Sequence, residues 1–416
     1  MTIKEVLMNH RCRFCNSLIR HSFCDLGMSP LSNSFVDEKR SQEMEPFFPL
    51  HAFVCEKCFL VQLEEFEKPE NIFNDYAYFS SFSESWLEHA RVYVDAMVER
   101  FNFKSNSTVI EIASNDGYLL KFFKKKNMNV IGIEPAANVA SVAEESGIKT
   151  LVKFFGVNTA KKLNEDGVTP DLLIGNNVLA HVPDINDFVS GMKIVLSEKG
   201  VITMEFPHLL KLIEKNQFDT IYHEHFSYLS LLTVESIFNH HGLKLFDVEE
   251  LTTHGGSLRI FACHKNNEIE LNFSNLNKVR EDEVNAKINN IGMYLQFQNK
   301  VNHIKRDLLT FLIKEKNNNK KIVGYGAPAK GNTLLNFCGI REDFIEYTVD
   351  KSPHKQGKLL PGTHISVYPV EKIKETKPDY IFILPWNLKE EIIEQMAYAR
   401  EWGCQFLVPI PQIQVI

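Results

Sequence analysis

The chain has 416 residues, of which 44% are hydrophobic and 31 are phenylalanine. At roughly 100–200 residues per domain, this length predicts two to four domains. The net charge of −7 comes from interspersed acidic and basic residues, so no basic stripe indicates a nucleic-acid partner. No apolar run reaches the roughly 18 residues that span a bilayer, and the first residues lack a signal-peptide core. We therefore expect a cytoplasmic protein without a membrane partner.

Two cysteine pairs stand near the start, Cys12 and Cys15 in CRFC and Cys55 and Cys58 in CEKC. Each C-x-x-C turn can present two thiolates to one ion, and two such turns complete the closed tetrahedral cage of structural zinc. The segments between the pairs look too irregular for a large core, so metal binding would supply much of the folding energy. Redox-active dithiols are the alternative.

From about Ser107 the pattern alternates between apolar strands and amphipathic helices, as in TVIEIASNDGYLLKFF with a helix starting near Gly117. NVIGIEPAANVASVAEESG repeats the unit, and DLLIGNNVLAHVPD and GVITMEFP add further strands. GLKLFDVEEL and GGSLRIFACHK suit a closing, antiparallel pair. This alternation predicts a doubly wound α/β sheet with its ligand at the carboxyl ends of the strands.

The first turn of this sheet, ASNDG at 113–117, has one glycine, whereas a dinucleotide-binding turn needs G-x-G-x-x-G. Glu134 ends the next strand, 17 residues after Gly117, where it can accept hydrogen bonds from ribose hydroxyls. An acidic turn and a ribose-binding glutamate favour a cationic nucleoside without phosphate, S-adenosylmethionine. A solvated strand end is the alternative for Glu134.

EIASNDG, GIEPAANVA, NNVLAHVPD, EFPHLL, FDTIYHEHFSY and HGGSLR occur in this order, and together they resemble the zinc-containing sugar C-methyltransferases. These enzymes act on nucleotide-linked 4-keto deoxysugars with S-adenosylmethionine. The resemblance implies an α/β chain with a small zinc-binding N-terminal domain (1–70), a Rossmann-like methyltransferase domain (71–270) and a C-terminal Rossmann-like domain (271–416). DYAYFSSFSESW and GYGAPAKGNTLLN extend it over nearly the whole chain.

Carbon methylation beside a ketone requires a base near the C–H bond and a donor near the enolate oxygen. Tyr222, Glu224 and His225, in DTIYHEHFSY, offer these groups. The resemblance implies that His225 is the base, with Glu224 orienting it or binding the sugar and Tyr222 donating to the substrate. In an extended segment Tyr222 and Glu224 would share one face and His225 the other, so convergence requires a bend. A divalent metal site or a polar loop are the alternatives.

The remaining site predictions follow from the same resemblance. His181 and Tyr76 are expected in the active site, although His181 could be a loop residue and Tyr76 could pack a domain junction. The predicted cofactor-binding residues are Glu111, Ala113, Asn115, Asp116, Gly117, Glu134, Pro135, Asn177, Tyr78, Ser80 and Ser83. Hydroxyl groups of the segment 78–83 would meet the carboxylate of the cofactor.

The C-terminal part repeats the α/β pattern with KKIVGYGAPAKGNTLLNF, and a long helical pattern over 285–317 precedes it. Backbone amides at the start of a helix, with a lysine, can hold phosphate. We expect Tyr325, Gly326, Lys330 and Asn332 to grip the substrate's nucleotide diphosphate and Arg259 to line the same cleft. A tight turn that needs glycine for its backbone alone, and an Arg259 paired with a carboxylate inside the sheet, are the alternatives.

The leading hypothesis is a monomeric enzyme that methylates the carbon, C3 by family precedent or C5, beside the ketone of such a sugar nucleotide. A metal-assisted O-methyltransferase, a non-catalytic nucleotide-binding scaffold and an NAD-dependent oxidoreductase are the alternatives. The nucleotide base and the end product are not specified by the sequence.

Overall fold

The N-terminal residues form a small antiparallel sheet. The computed structural model describes residues 10–68, 79–82 and 84–416, and the predicted Tyr76, Tyr78 and Ser83 lie outside them. The sheet contains β1 (His21–Ser29), β3 (Phe48–Val54) and β4 (Val61–Leu63), while the short strand β2 (Val36–Asp37) lies outside it. β3 pairs with both β1 and β4, so the two cysteine pairs are carried by the turns that flank this sheet.

The central domain is an α/β sheet whose elements follow the predicted alternation. Its strands are β5 (Thr108–Ile112), β6 (Asn129–Ile133), β7 (Thr150–Leu151), β8 (Leu172–Asn176), β9 (Val201–Pro207), β10 (Ser227–Tyr228), β11 (Leu243–Leu251) and β12 (Ser257–His264). Its helices are α1 (Glu84–Phe101), α2 (Leu120–Lys125), α3 (Ala137–Glu145), α4 (Val157–Glu165), α5 (Ile185–Val195), α6 (Leu209–Glu214) and α7 (Leu231–His240). The first of the predicted helices, α2, begins at Leu120 rather than near Gly117, because the turn after β5 extends over residues 113–119.

The strand order of the central sheet is β11-β12-β9-β8-β5-β6-β7. β5 to β9 run parallel, while β12 pairs antiparallel with β9 and β11 antiparallel with β12, as predicted for the closing pair. In the sheet β6 lies on one side of β5, and β8, which comes later in the chain, lies on its other side. Strand order therefore reverses beside β5, and the crevice at the carboxyl ends of β5 and β8 is the expected ligand site.

Strand β10 leaves the central sheet and joins the N-terminal one, whose order is β1-β3-β4-β10. Ser227 pairs with Gln62 and Tyr228 with Val61. The segment 219–228 is therefore fixed at its end by the N-terminal domain.

The C-terminal domain has a second α/β sheet, ordered β16-β14-β13-β17-β18-β19. Its helices are α8 (Phe273–Asn285), α9 (Ile291–Leu295), α10 (Phe297–Asn317), α11 (Ala329–Cys338), α12 (Lys372–Thr376) and α13 (Lys389–Gln395). Its strands are β13 (Ile322–Tyr325), β14 (Thr348–Val349), β15 (Lys358–Leu359), β16 (Val367–Tyr368), β17 (Tyr380–Ile383), β18 (Gln405–Val408) and β19 (Gln414–Val415). β15 pairs with β2 of the N-terminal domain.

One apolar core is shared by the N-terminal sheet, helix α10 and the C-terminal sheet. Phe23 of β1 stacks on Phe297 at 4.7 Å between ring centroids. The long helical pattern over 285–317 is interrupted between α8 and α9, and α10 buries Val301, Leu308 and Leu312. The apolar residues of the zinc-binding domain therefore pack into cores that they share with the other domains. Within the described residues, helices with the length and apolar character of a membrane span are absent.

Candidate active site

The four cysteines of the two pairs converge. Their sulfur atoms all lie within 4.8 Å of one another, with 3.5 Å between the Sγ atoms of Cys12 and Cys58 and also between those of Cys15 and Cys55. A tetrahedral zinc with Zn–S bonds of about 2.3 Å places its sulfurs nearly 4 Å apart. Four thiolates at these separations fit a closed, structural zinc site, and no other donor group of the described chain joins them.

The turn between β5 and α2 has an unusual backbone. Ala113 and Asn115 have φ values of +56° and +50°, and Gly117 has +75°. Such values are uncommon for residues with a side chain and cluster at ligand sites. A Cβ at Gly117 would lie 3.1 Å from Ile148, so glycine lets the turn pack closely against the sheet. The turn lies at the carboxyl end of β5, where the parallel strands of the sheet end.

Three carboxylates surround this turn. Glu134 accepts hydrogen bonds from the amides of Asn115 (3.0 Å) and Ala136 (2.9 Å), and Pro135 between them bends the chain into α3. Burial raises the pKa of Glu134 and raises that of Glu111 well above its usual range, and the charge of Asp116 adds to both effects. Asp116 also has a buried Oδ1 atom without a partner among the described residues. A cationic ligand would relieve this repulsion, as the sulfonium and ammonium of S-adenosylmethionine would.

The described part of the linker before α1 lies directly on the same turn. The amide of Ser80 donates to Oδ1 of Asn115 at 2.9 Å, and the amide of Ser81 donates to Oδ2 of Asp116 at 3.0 Å. Phe79 stacks on His354 of the C-terminal domain, with 5.5 Å between ring centroids. Ser80 and Ser81 therefore lie next to the turn that is predicted to bind the cofactor.

Asn177 and His181 follow β8 at the opposite edge of the crevice. Asn177 has a φ of +54°, and its amide donates to the carbonyl of Glu205 at 2.7 Å. His181 ends a short 3-10 turn, and its ring centroid lies 4.6 Å from that of His225 in an edge-to-face contact. Burial lowers the pKa of His181 to about 4. A neutral imidazole thus lies beside the predicted base.

The bend that convergence requires occurs at residues 222–225. The amide of His225 donates to the carbonyl of Tyr222 at 2.9 Å, which is the closing bond of a β-turn. The turn brings the two side chains together, because the Tyr222 hydroxyl lies 2.7 Å from Nε2 of His225. We call residues 222–225 the catalytic turn.

The tautomer of His225 follows from its contacts. Nδ1 lies 2.9 Å from the carbonyl oxygen of Thr220, which can only accept, so Nδ1 carries the proton. Nε2 then has the lone pair and accepts from Tyr222. Burial and the neighbouring His181 lower the pKa of His225 well below its usual range, and the charge of Lys330 contributes. Near neutral pH the site therefore contains an uncharged imidazole with Nε2 as its basic atom.

Glu224 does not orient His225, which corrects half of its predicted role. The Thr220 carbonyl fixes the imidazole instead, while Glu224 accepts a hydrogen bond of 2.5 Å from the side chain of Asn33. Burial raises the pKa of Glu224 to about 7. His223, for which the sequence predicted no role, donates from Nε2 to the carbonyl of Pro49 at 3.2 Å. The N-terminal domain thus holds both central residues of the catalytic turn.

Sequence reasoning missed His254 and Glu205. His254 has a φ of +55° and lies on a 3-10 turn after β11, and its Nε2 is 3.5 Å from Nδ2 of Asn177. Burial lowers its pKa to about 4, with a contribution from the charge of Lys330. Glu205 accepts from Thr253 at 3.0 Å and thereby holds this turn. The motif HGGSLR contains His254 and is the sequence signal for it.

Arg259 pairs with carboxylates inside the fold, which favours the structural alternative for this residue over a role in the substrate cleft. Its guanidinium donates to Glu205 at 3.1 Å and to Glu249 at 2.9 Å, and it lies over the ring of Tyr93 at 4.7 Å. A buried guanidinium needs such carboxylates. Its effect on the site is indirect, because it holds Glu205.

Most of the predicted diphosphate grip is also used internally. The amide of Gly326 donates to the carbonyl of Val349 at 2.6 Å, and a Cβ at this position would lie 2.6 Å from Pro385. The Tyr325 hydroxyl donates to Gln395 at 3.2 Å, and Asn332 donates to the carbonyl of Ser32 at 2.6 Å. These contacts favour the structural alternative for Tyr325, Gly326 and Asn332.

Lys330 differs from these three residues. Its Nζ donates to Asn387 at 2.8 Å and lies 4.5 Å from the ring centroid of Trp386. The indole of Trp386 donates to Asp219 at 2.6 Å, three residues before the catalytic turn. Burial lowers the pKa of Lys330 and its charge acts on both His225 and His254. Lys330 therefore brings a positive charge from the C-terminal domain to the crevice.

Comparison with known proteins agrees with this architecture. Successive parts of the chain match models of a zinc binding domain (12–73), a methyltransferase domain (86–248) and the C-methyltransferase C-terminal domain (252–411). The C-methyltransferase NovU of Streptomyces niveus is 33% identical over 405 residues, which are 97% of this chain and 96% of NovU. The chain belongs to this zinc-containing C-methyltransferase family. It is an S-adenosylmethionine-dependent C-methyltransferase with a structural zinc site.

Solved structures of methyltransferases resemble part of the chain. An S-adenosylmethionine-dependent methyltransferase from Clostridium acetobutylicum ATCC 824 is 11% identical, covers 43% of this chain and 92% of its own, and has a TM-score of 0.34. Magnesium protoporphyrin IX methyltransferase (ChlM) from Synechocystis PCC 6803 with bound SAM is 13% identical, covers 47% of this chain and 88% of its own, and also has a TM-score of 0.34.

Proposed function

We propose that this C-methyltransferase acts on the carbon, C3 in the first instance, beside the ketone of a nucleotide-linked 4-keto deoxysugar. The observation that supports it is the catalytic turn, in which Nε2 of His225 is the unprotonated nitrogen and a phenol lies 2.7 Å from it. A carbon flanked by a ketone is acidic enough for an imidazole base, and a phenol suits the oxygen on which negative charge develops.

In this mechanism His225 removes the proton from the carbon, and the C–H electrons form the enolate. The Thr220 carbonyl steadies the imidazolium through Nδ1–H. Tyr222 turns from Nε2 to the ketone oxygen when the acceptor binds, and the charge of Lys330, which acts on His225 and His254, favours the anionic oxygen. Bound S-adenosylmethionine supplies an electrophilic methyl group to the enolate carbon.

The low pKa of His225 is compatible with this role. Burial keeps the imidazole neutral and thus ready to accept a proton. The enolate that forms beside it is negatively charged, so the imidazolium becomes stabilised only as the reaction proceeds. An interaction that strengthens toward the transition state accelerates the chemical step.

The remaining site residues have complementary roles in this proposal. Glu134 would bind the ribose of the cofactor, and Glu111 and Asp116 would face its positive charges. Asn115, Asn177 and Ser80 border the same crevice. His181 and Glu224 would bind the sugar. Cysteines 12, 15, 55 and 58 hold zinc away from the reacting carbon, as a closed four-thiolate site requires.

The test uses His225→Asn, with His240→Asn at the exposed end of α7 as the matched control. Purified protein is incubated with methyl-labelled S-adenosylmethionine and a panel of 4-keto nucleotide sugars in D2O. We expect the parent to methylate one of them and to exchange the adjacent C–H for deuterium. H225N should lose roughly 100-fold or more of both activities, while calorimetry shows unchanged binding of the cofactor.

Full turnover by H225N would refute the base assignment. Methyl transfer to oxygen without deuterium exchange would instead support an O-methyltransferase, because only enolate chemistry exchanges the hydrogen on carbon. H240N should behave like the parent in every assay.

A further inference from the structure

The loop that follows β1 reaches from the zinc-binding domain into the space between the other two domains. Ser32 is buried, its carbonyl accepts from Asn332 of α11 at 2.6 Å, and its hydroxyl lies 3.4 Å from that of Thr333. The loop is closed by hydrogen bonds from Ser34 to Leu31 and from Phe35 to Asn33. It is therefore anchored against the C-terminal domain at Ser32, which fixes the direction of the next side chain.

That next side chain, Asn33, contacts the catalytic turn. Its Nδ2 donates to Oε1 of Glu224 at 2.5 Å. Glu224 is 3% exposed, and a buried carboxylate requires hydrogen-bond donors. Asn33 is the side chain that supplies one among the described residues, and it belongs to a different domain from the residue that it holds.

We propose that Asn33 is a positioning residue of the methyl-transfer site, because it fixes the Glu224 carboxyl in the orientation that meets the acceptor. The inference rests on the proposed function for the identity of that acceptor. The zinc-binding domain would then contribute a residue to the active site, in addition to binding the metal.

Other contacts also connect the zinc-binding domain to the catalytic turn and its neighbours. His223 donates to Pro49 of β3, and the amide of Leu63 donates to the carbonyl of Phe226 at 3.0 Å. Arg13, beside the zinc ligand Cys12, donates to the carbonyl of Pro183 at 2.7 Å, just after His181. The catalytic turn is thus held on both sides by the domain that carries Asn33.

Asn33 also affects the ionisation of Glu224. Burial raises the pKa of Glu224 and the hydrogen bond from Asn33 lowers it. The titratable groups around the turn are Tyr222, His223, His225 and, after β8, His181. The three imidazoles have lowered pKa values through burial and are neutral near pH 7. The charge of Lys330 lowers the pKa of His225, whereas the pKa of Glu224 is shifted by burial and by Asn33.

The first experiment measures Glu224 directly and needs no acceptor. The infrared carbonyl band of its protonated carboxyl is isolated by subtracting the spectrum of Glu224→Gln and is followed against pH in the parent, N33L, N33Q and S34A. Leucine removes the donor at similar volume, glutamine keeps an amide, and S34A changes an exposed side chain of the same loop. We expect the midpoint of N33L to rise by about one pH unit, S34A to match the parent and N33Q to lie between the parent and N33L. An unchanged midpoint in N33L would overturn the proposal.

The second experiment measures turnover with labelled S-adenosylmethionine and the panel of 4-keto nucleotide sugars, which includes dTDP-4-keto-6-deoxyglucose. N33L should lose about 10-fold or more in kcat/KM for the acceptor, with zinc content and cofactor affinity unchanged, and N33Q should recover part of the loss. Parent-like turnover of N33L would overturn the positioning role. If the parent methylates none of the 4-keto sugars, the proposed function fails, and the infrared titration still decides whether Asn33 controls Glu224.

Discussion

Replacing Glu224 with glutamine should make the folded protein more stable at neutral and alkaline pH. Burial raises the pKa of this carboxyl from 4.5 to about 7. In the unfolded chain the group ionises near its ordinary value. Between these two values the folded state binds more protons than the unfolded state, so the free energy of unfolding falls as pH rises. Glutamine keeps an oxygen for Asn33 and does not ionise.

The magnitude follows from the two values. The contribution of Glu224 is about 0.8 kcal/mol unfavourable at pH 5 and about 3.3 kcal/mol unfavourable at pH 8, where the folded state is also ionised. The stability gained by E224Q should therefore increase by about 2.5 kcal/mol between these two pH values. Functional groups that cost stability are typical of active sites.

The assay is urea unfolding of the zinc-loaded parent and variant at pH 5, 6, 7 and 8. Glu205→Gln is the matched control, because Glu205 is also buried but His89 and Arg259 lower its pKa despite that burial. E205Q should instead lose stability by a nearly constant amount at these four pH values, because the lowered pKa of Glu205 places its pH-dependent contribution below the ordinary value of 4.5. A gain for E224Q that does not vary with pH would refute the assignment of a raised pKa to Glu224.

Three further predictions concern charge, metal and acid. The charge of Lys330 lowers the pKa of His225, so K330Q should raise that pKa and move the acid limb of the pH–rate profile to higher pH. An unmoved limb would contradict an effect of Lys330 on His225. C15S should lose zinc and methyl transfer while keeping measurable cofactor binding by calorimetry, and a zinc-free yet fully active protein would contradict the role of the zinc-binding domain. Because burial lowers the pKa of His254 to about 4, the unfolded state takes up that proton first as pH falls below 6.5. H254N should therefore lose about 1 kcal/mol less unfolding free energy than the parent between pH 7 and 5.5, as urea titration can check.

The fold was largely predictable because local sequence signals specify it. Alternating apolar strands and amphipathic helices predicted the central sheet, and GLKLFDVEEL and GGSLRIFACHK predicted the antiparallel pair β11 and β12. The spacing within CRFC and CEKC predicted the sulfur cage. The break after α8 was missed because the residues on either side of it have similar helical patterns, and only packing separates them.

The site was predictable in its residue types but not in its contacts. A sequence shows Tyr222 and His225 three residues apart, but the turn that joins them depends on where His223 and β10 are held. Asn33 is separated from Glu224 by 191 positions, and no local pattern carries such a contact. Arg259 and Asn332 are buried, and buried polar side chains need hydrogen-bond partners within the protein. Their burial depends on the tertiary fold, so the sequence did not indicate these internal partners.

Strand β10 pairs with β4, so a piece of the methyltransferase domain completes a sheet built by the first 63 residues. An enzyme assembled from parts of different relatives must therefore keep the pairing between β4 and β10. A hybrid that takes its amino-terminal segment from one relative and the rest from another would mismatch the sheet edge on which His225 depends. A hybrid should therefore take β4, β10 and the loop around Asn33 from the same relative, so that the contacts of the catalytic turn are kept.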